Sequence, residues 1–312
     1  VIFIDGIFTL ASIFRGAGEP GFSLAGMTVN SIVAFMAIPL LAFGGGPIPA
    51  LGIAGTPLGL GAGRLIGYSV MMAFLFSGKC RIHLRPGHFL PRPAHLFRIL
   101  RLGWPVGGQN LLERGANLVL IGILSPFGGI ALAAWGVGVR VSHMSRMPGF
   151  ALQGAVRTMV GQNIGSNRPD RARMAAWVTL GTVFLILTAT TSMLFIWAGK
   201  VIHFFGMSGE AAPTGVICLR ILCVGTVFEG TRRVLAGIFE GASQTKPPMI
   251  VEGVIRWGFM LPLAYAAGVA LGQGAMGIWW AVSGSQIVAG LALFTWFVFG
   301  WRRQAYRGAP GA

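Results

Sequence analysis

Glu113 and Glu229 stand deep inside long apolar stretches. A carboxylate in such a place can hold a monovalent cation with a second carboxylate, or carry a proton when burial raises its pKa towards neutrality. It can also simply neutralise a nearby arginine. Glu113 lies about nine residues into the stretch that starts near Trp104, and Glu229 about ten residues before the stretch that closes near Phe239 ends. At about 1.5 Å per residue, both sit roughly 14–15 Å from one membrane face, close to the middle. An ionisable group at that depth costs about 3 kcal/mol or more and marks a functional site by default. Asn110, Glu113 and Asn117 recur at i, i+3 and i+7, with Gln109 beside them. A polar stripe of that spacing faces a cavity or other helices rather than lipid. Glu113 and Glu229 are therefore the candidate cation-coupling groups, and Gln109, Asn110 and Asn117 the candidate polar cavity lining. The competing reading is an ion pair. Arg232 and Arg233 follow Glu229 by three and four residues, on the same helix face. Arg114 adjoins Glu113 but points about 100° away around the helix.

The other acids read differently. Glu19, Asp170 and Glu240 fall at the ends of apolar stretches and Glu210 in a loop, where water solvates them. Glu252 is about four residues into its stretch and reaches the interface, and Asp5 stands in the first, shortest stretch. Cys80, Cys218 and Cys223 form neither a disulfide framework nor a metal-type pair. His83, His88 and His95 are spaced by five and seven, which fits no helix face, so a solvated linker is expected and no metal centre. With no G-x-S-x-G, H-E-x-x-H or Walker loop, nothing points to an enzyme or to a bound cofactor.

The elements that must carry these groups follow from composition. The chain has 312 residues, 54% hydrophobic and 10% charged. A soluble domain carries about 25% charged residues, so a soluble globular enzyme and a disordered tail are both excluded. What remains is an all-α polytopic membrane protein. About 20 apolar residues make one span, which predicts a partial helix at about 1–14. Eight full helices are predicted at about 23–44, 51–78, 104–126, 130–158, 174–199, 211–239, 248–269 and 275–300. The net charge of +16 is distributed as topology. One side collects Arg15, the basic run from Lys79 to Arg101, Arg157, the arginines of 168–173, Lys246 and the arginines of 302–307, whereas the opposite loops hold Lys200 alone. Positive loops are cytoplasmic, so the carboxyl terminus is expected inside, in the plasma membrane (a bacterial inner membrane), and nucleic acid is not the partner. Trp104, Trp279, Trp280 and Trp301 fall at predicted helix ends, as interfacial aromatics do. The organisation read from this is three helices over 1–78, a basic linker over 79–103, six helices over 104–301 and a tail over 302–312.

An internal repeat runs through the pattern. Phe14-Arg15-Gly16-Ala17-Gly18 matches Phe239-Glu240-Gly241-Ala242-Ser243, Ile38-Pro39-Leu40 matches Leu261-Pro262-Leu263, and Gly52-Ile53 matches Gly277-Ile278. The offset is 223–225 residues and both copies share one membrane orientation, a parallel repeat of the transporter kind. Counting back from the linker by that offset, about 120 residues and three helices are expected to precede Val1.

The run Val160-Gly161-Gln162-Asn163-Ile164-Gly165-Ser166-Asn167-Arg168-Pro169-Asp170-Arg171-Ala172, with Arg140 and Met147-Pro148 before it, resembles the second-lobe signature of the multidrug and toxic compound extrusion (MATE) family. Arg15 to Pro20, Asn30 and Pro49 to Gly55 resemble that family's fourth to sixth helices, and Gly103-Trp104-Pro105 the start of its seventh. The resemblance implies a twelve-helix, two-lobe fold of which this chain begins in the fourth helix. It also implies alternating-access export of organic, often cationic, compounds in exchange for Na⁺ or H⁺. The position of Glu113 eight residues after Pro105, and of Glu229 twelve before Gly241, is similar to that of the second-lobe coupling carboxylates. One turn before Glu229 the chain departs from the pattern: Gly225 stands where sodium-coupled members have Tyr. The run over 160–172 reads as a helix exit, turn and re-entry, with Asn167 or Asp170 placed to cap the next helix. Two other readings stay open: a flippase for lipid-linked saccharides, which Arg140, Arg146, Arg220 and Arg256 would suit, and an inactive truncated remnant.

Overall fold

The computed structural model describes the backbone of residues 2–44, 50–78, 80 and 93–304, with all side chains among these except those of 2–5, 94, 98 and 301–304. Every regular element among the described residues is helical. The chain divides into two compact units, Val1–Pro93 and Ala94–Ala312.

The first unit contains α1 (Ile2–Gly16), α2 (Pro20–Phe43) and α3 (Gly55–Phe76). Gly18 takes a positive φ of 81° and Pro20 opens α2, so the turn after Arg15 closes one helix and starts the next. Gly55, Gly59, Gly63 and Gly67 recur every fourth residue of α3 and press against α2. A Cβ on Gly59 would meet the Ile38 Cα at 2.8 Å, and one on Gly63 the Asn30 carbonyl oxygen at 2.7 Å. Small residues of this spacing let helix backbones touch in a membrane, where dispersion and not water-driven burial holds them. Phe14, Phe22 and Phe74 stack beside Ile7, Leu10, Met71 and Leu75 to fill the remaining core.

The second unit starts with α4 (Pro93–Leu124), then α5 (Gly129–Ser145), α6 (Met147–Gly165), α7 (Pro169–Ile196), short α8 (Ala198–Phe204) and α9 (Ala211–Gly241). A rod of 25 residues, Lys246–Ala270, follows. It consists of α10 (Lys246–Gly253), a wide π turn over Val254–Met260, α11 (Leu261–Tyr265) and a second π turn over Ala266–Ala270. The last element is α12 (Gly274–Gln304). The central element is α9, packed against α5, α6, α7 and α12.

Six described helices are long and apolar enough to cross a membrane. Their outward faces carry bare apolar side chains such as Phe35, Phe43, Leu185 and Phe299. Arginines and glutamates are buried inside the second unit. This inverted distribution suits lipid as the surrounding solvent, and the protein is a multi-pass membrane protein.

Several predicted elements shift. α4 begins at Pro93, not Trp104: proline suits the first helical turn, and Arg101 and its exposed neighbours extend the helix where apolarity alone would not. The single span predicted at 130–158 is a longer rod, interrupted at Arg146. Pro148 has no N–H for the Met144 carbonyl, which breaks the helical ladder there. Asn167 does not cap α7; at φ 55° it closes α6, and Arg168 precedes α7 without a side-chain cap. Trp279 is buried inside the second unit, whereas Trp104 and Trp280 are exposed. Of the histidine trio, His83 and His88 lie outside the described residues, as do the side chains of Asp5 and Trp301; His95 is exposed.

Candidate functional site

Pro148 breaks the α5–α6 rod, and the residue at the break is Arg146. Arg146 is buried there and pairs with Glu229 of α9. Glu229 also accepts a bond of 3.3 Å from Arg233, one turn on along α9. Arg233 donates a second bond, of 2.7 Å, to Glu113 of α4, and lays its guanidinium 4.8 Å over the Phe150 ring of α6. The Lys246–Ala270 rod adds Arg256, which reaches Glu113 at 3.3 Å and also pairs with Glu252. Glu252 in turn holds Arg232 of α9. Seven charged side chains thus form one continuous network over α4, α9, the α5–α6 break and the rod.

Glu113 and Glu229 are brought together by one shared guanidinium, as their matched depth along α4 and α9 allows. The ion-pair alternative therefore describes the contacts of both. Glu252 does not reach the interface: its side chain is 1% exposed, because Arg256 four residues on and Arg232 across the helix contact satisfy it inside the protein. Glu240 is not solvated either; it is buried against Arg157 of α6.

Beside the network lies a cavity of about 240 Å³ within the second unit. Glu113, Glu229, Arg146 and Arg256 line it, with Asn117, Trp135, Ser142, Thr226, Ser283 and Gln286. Asn117 thus stands in the wall. Asn110 does not; it is exposed and donates to the Val106 carbonyl of its own helix at 3.0 Å, while Gln109 is half-buried outside this cavity. Arg146 and Arg256 stand in the wall, whereas Arg140 is exposed and Arg220 rests on the Phe195 ring of α7.

Sequence reading missed Ser283 and Gln286, although polar residues at i and i+3 of the apolar α12 were a signal of one polar face. Gly225 explains the departure noted above. A Cβ there would stand 2.9 Å from the Ser283 Cα, so α9 and α12 cross too closely for a tyrosine at this position. No group of three His, Cys, Asp or Glu suited to a metal ion occurs among the described residues.

The second unit is thus a helical membrane bundle with a polar cavity and a charged network buried inside it. The family model MatE matches residues 105–266, over half of the chain, and the chain belongs to that family. It is 28% identical over 306 residues to the probable multidrug resistance protein NorM of Deinococcus radiodurans, covering 96% of this chain and 66% of the relative. With the probable NorM of Mesorhizobium japonicum it shares 29% over 311 residues, 93% of this chain and 64% of that one. The chain therefore spans slightly less than two thirds of the curated relatives it matches. A crystal structure of a MATE protein in complex with MaL6 superposes with a TM-score of 0.87 at 19% identity, covering 98% of this chain and 67% of that one. A transporter of the MOP superfamily from Pyrococcus furiosus, described as having a binding pocket of reverse polarity, superposes at 0.84 with 20% identity over 93% and 64%. These likenesses establish that the helices of this chain are arranged as in the MATE structures.

Proposed function

We propose that the protein exports small organic compounds across a bacterial plasma membrane by alternating access, driven by Na⁺ or H⁺ moving inward, with its carboxyl terminus in the cytoplasm. The observation that carries this reading is Arg233 held by Glu113 of α4 and Glu229 of α9. A cation arriving at either carboxylate competes with the guanidinium, loosens α4 from α9, and so converts ion binding into helix movement. A proton does this with one O–H bond. Sodium needs several oxygens, and Gly225 supplies no side-chain ligand where sodium-coupled members have Tyr, so the proton is the simpler coupling ion. Family membership and the names of the NorM relatives support the cargo class.

The test is efflux of a fluorescent organic dye from proteoliposomes holding the protein as its gene encodes it, under an imposed proton gradient and, separately, a sodium gradient. Glu113→Gln should abolish gradient-driven efflux while the protein stays folded, and undiminished efflux would defeat the assignment. A flippase for lipid-linked saccharides is the second reading, favoured by Arg146 and Arg256 in the cavity wall. It predicts movement of a labelled lipid-linked sugar between leaflets and no dye efflux.

A further inference from the structure

The network beside the cavity is not balanced. Arg146, Arg232, Arg233 and Arg256 face Glu113, Glu229 and Glu252, leaving one positive charge in excess, and no other acid among the described residues pairs with them. Two donors in the same wall are also unused. Ser142 Oγ and Arg146 Nε are buried and make no hydrogen bond, and their residues are 5% and 7% exposed. Separated by four residues, they sit one turn apart on the same side of the α5 end, and both line the cavity. Each unmade buried donor bears the full penalty of its lost hydration, and an uncompensated guanidinium in a low-dielectric interior bears a larger one.

One object cancels both deficits: a small oxyanion, which takes a charge-assisted bond from Arg146 Nε and a hydroxyl bond from Ser142. Arg146 can serve Glu229 and this ligand together, because Glu229 engages a terminal nitrogen and leaves Nε without a partner. The wall also has an apolar side, formed by Ile121, Trp135, Val139, Leu222 and Val282, and its two carboxylates, Glu113 and Glu229, are already held by arginines.

We propose that this cavity binds the carboxylate or sulfonate of a small aromatic solute, so that the cargo of this site is an organic anion or zwitterion and not a simple organic cation. The inference rests on the transporter reading and names its substrate class.

The test is equilibrium dialysis with the 312-residue chain in nanodiscs. Three probes of matched shape are compared at equal ionic strength: 1-naphthalenesulfonate, neutral 1-naphthalenemethanol and the cation 1-naphthylmethyl-trimethylammonium. The sulfonate is expected to bind about tenfold or more tightly than the ammonium, the equivalent of one charge-assisted bond. Ser142→Ala should weaken the sulfonate about fivefold and leave the neutral alcohol unchanged. Arg146→Gln should weaken it further; Ser142→Ala keeps the test decisive if that variant does not fold. Equal or tighter ammonium binding, no sulfonate binding, or a sulfonate affinity unmoved by Ser142→Ala would each overturn the inference. Sulfonate binding in a protein that fails every efflux assay supports this site and sinks the transporter reading alone.

Discussion

Replacing Glu252 by Gln removes the acid that holds Arg232 and Arg256 in the interior of the second unit. The three side chains are 1%, 2% and 7% exposed, so neither guanidinium gains water when its partner is lost. The network then contains four arginines and two acids, doubling its excess positive charge. Breaking a buried pair by removing one member costs about 3–5 kcal/mol. Each kcal/mol lowers the melting temperature of a domain of this size by about 2–4 °C, so Glu252→Gln should melt about 6–20 °C below the parent chain. Cys218 and Cys223 offer the assay, because both are buried and free. A maleimide dye that fluoresces on reaction with thiols reports their exposure as the detergent-solubilised chain is heated. The double variant Glu252→Met with Arg232→Met restores the original charge difference and fills the same space with apolar atoms. It should recover most of the loss, since a buried ion pair is often replaceable by well-packed hydrophobic residues. A shift under about 2 °C for Glu252→Gln, or a double variant no better than the single one, would refute the buried network as a source of stability.

Two further outcomes follow from packing. Gly225→Ala places a methyl 2.9 Å from the Ser283 Cα, where backbone and not a flexible tip must yield, and the overpacking should cost about 1–3 kcal/mol. The same thermal assay reads this, and an unchanged melting temperature would show that α9 and α12 are not in contact there. In the folded chain, Cys218 and Cys223 should resist maleimide in micelles and react fully after denaturation, as mass spectrometry of the labelled chain can count. Rapid labelling of either in the native state would overturn its place in the core.

Depth along a helix was legible from the sequence, and it located Glu113 and Glu229 well enough that one arginine bridges them. The partner identities were only half legible. Arg233 follows Glu229 by one turn and is visible in the local spacing, but Arg146 meets Glu229 because two helices cross, and no local pattern encodes a crossing. Glu252 shows the cost of reading depth alone. Its partner Arg256 stands at i+4 in plain view, yet Arg232 comes from another helix and completes the burial. Helix starts were misjudged where apolarity and helicity separate. The Pro93 end of α4 is helical but basic, and a search for hydrocarbon passes over it. The break at Arg146 was written in Pro148 and in the polar run Ser142, His143, Ser145 and Arg146 before it, and went unread because one span was drawn across both.

The four glycines of α3 bear on inheritance. At Gly55, Gly59, Gly63 and Gly67 every alternative amino acid adds at least one carbon to space already filled by α2, within 2.4–2.9 Å of an atom of that helix or of α1. No chemical similarity softens this, since glycine has no neighbour in size below alanine. Drift is thereby pushed to the other flanks of the same helix, where Leu58, Leu65 and Ile66 face outward and one hydrocarbon serves as well as another. One strip of α3 therefore has no room for any larger side chain, whereas the exposed flanks have room for many.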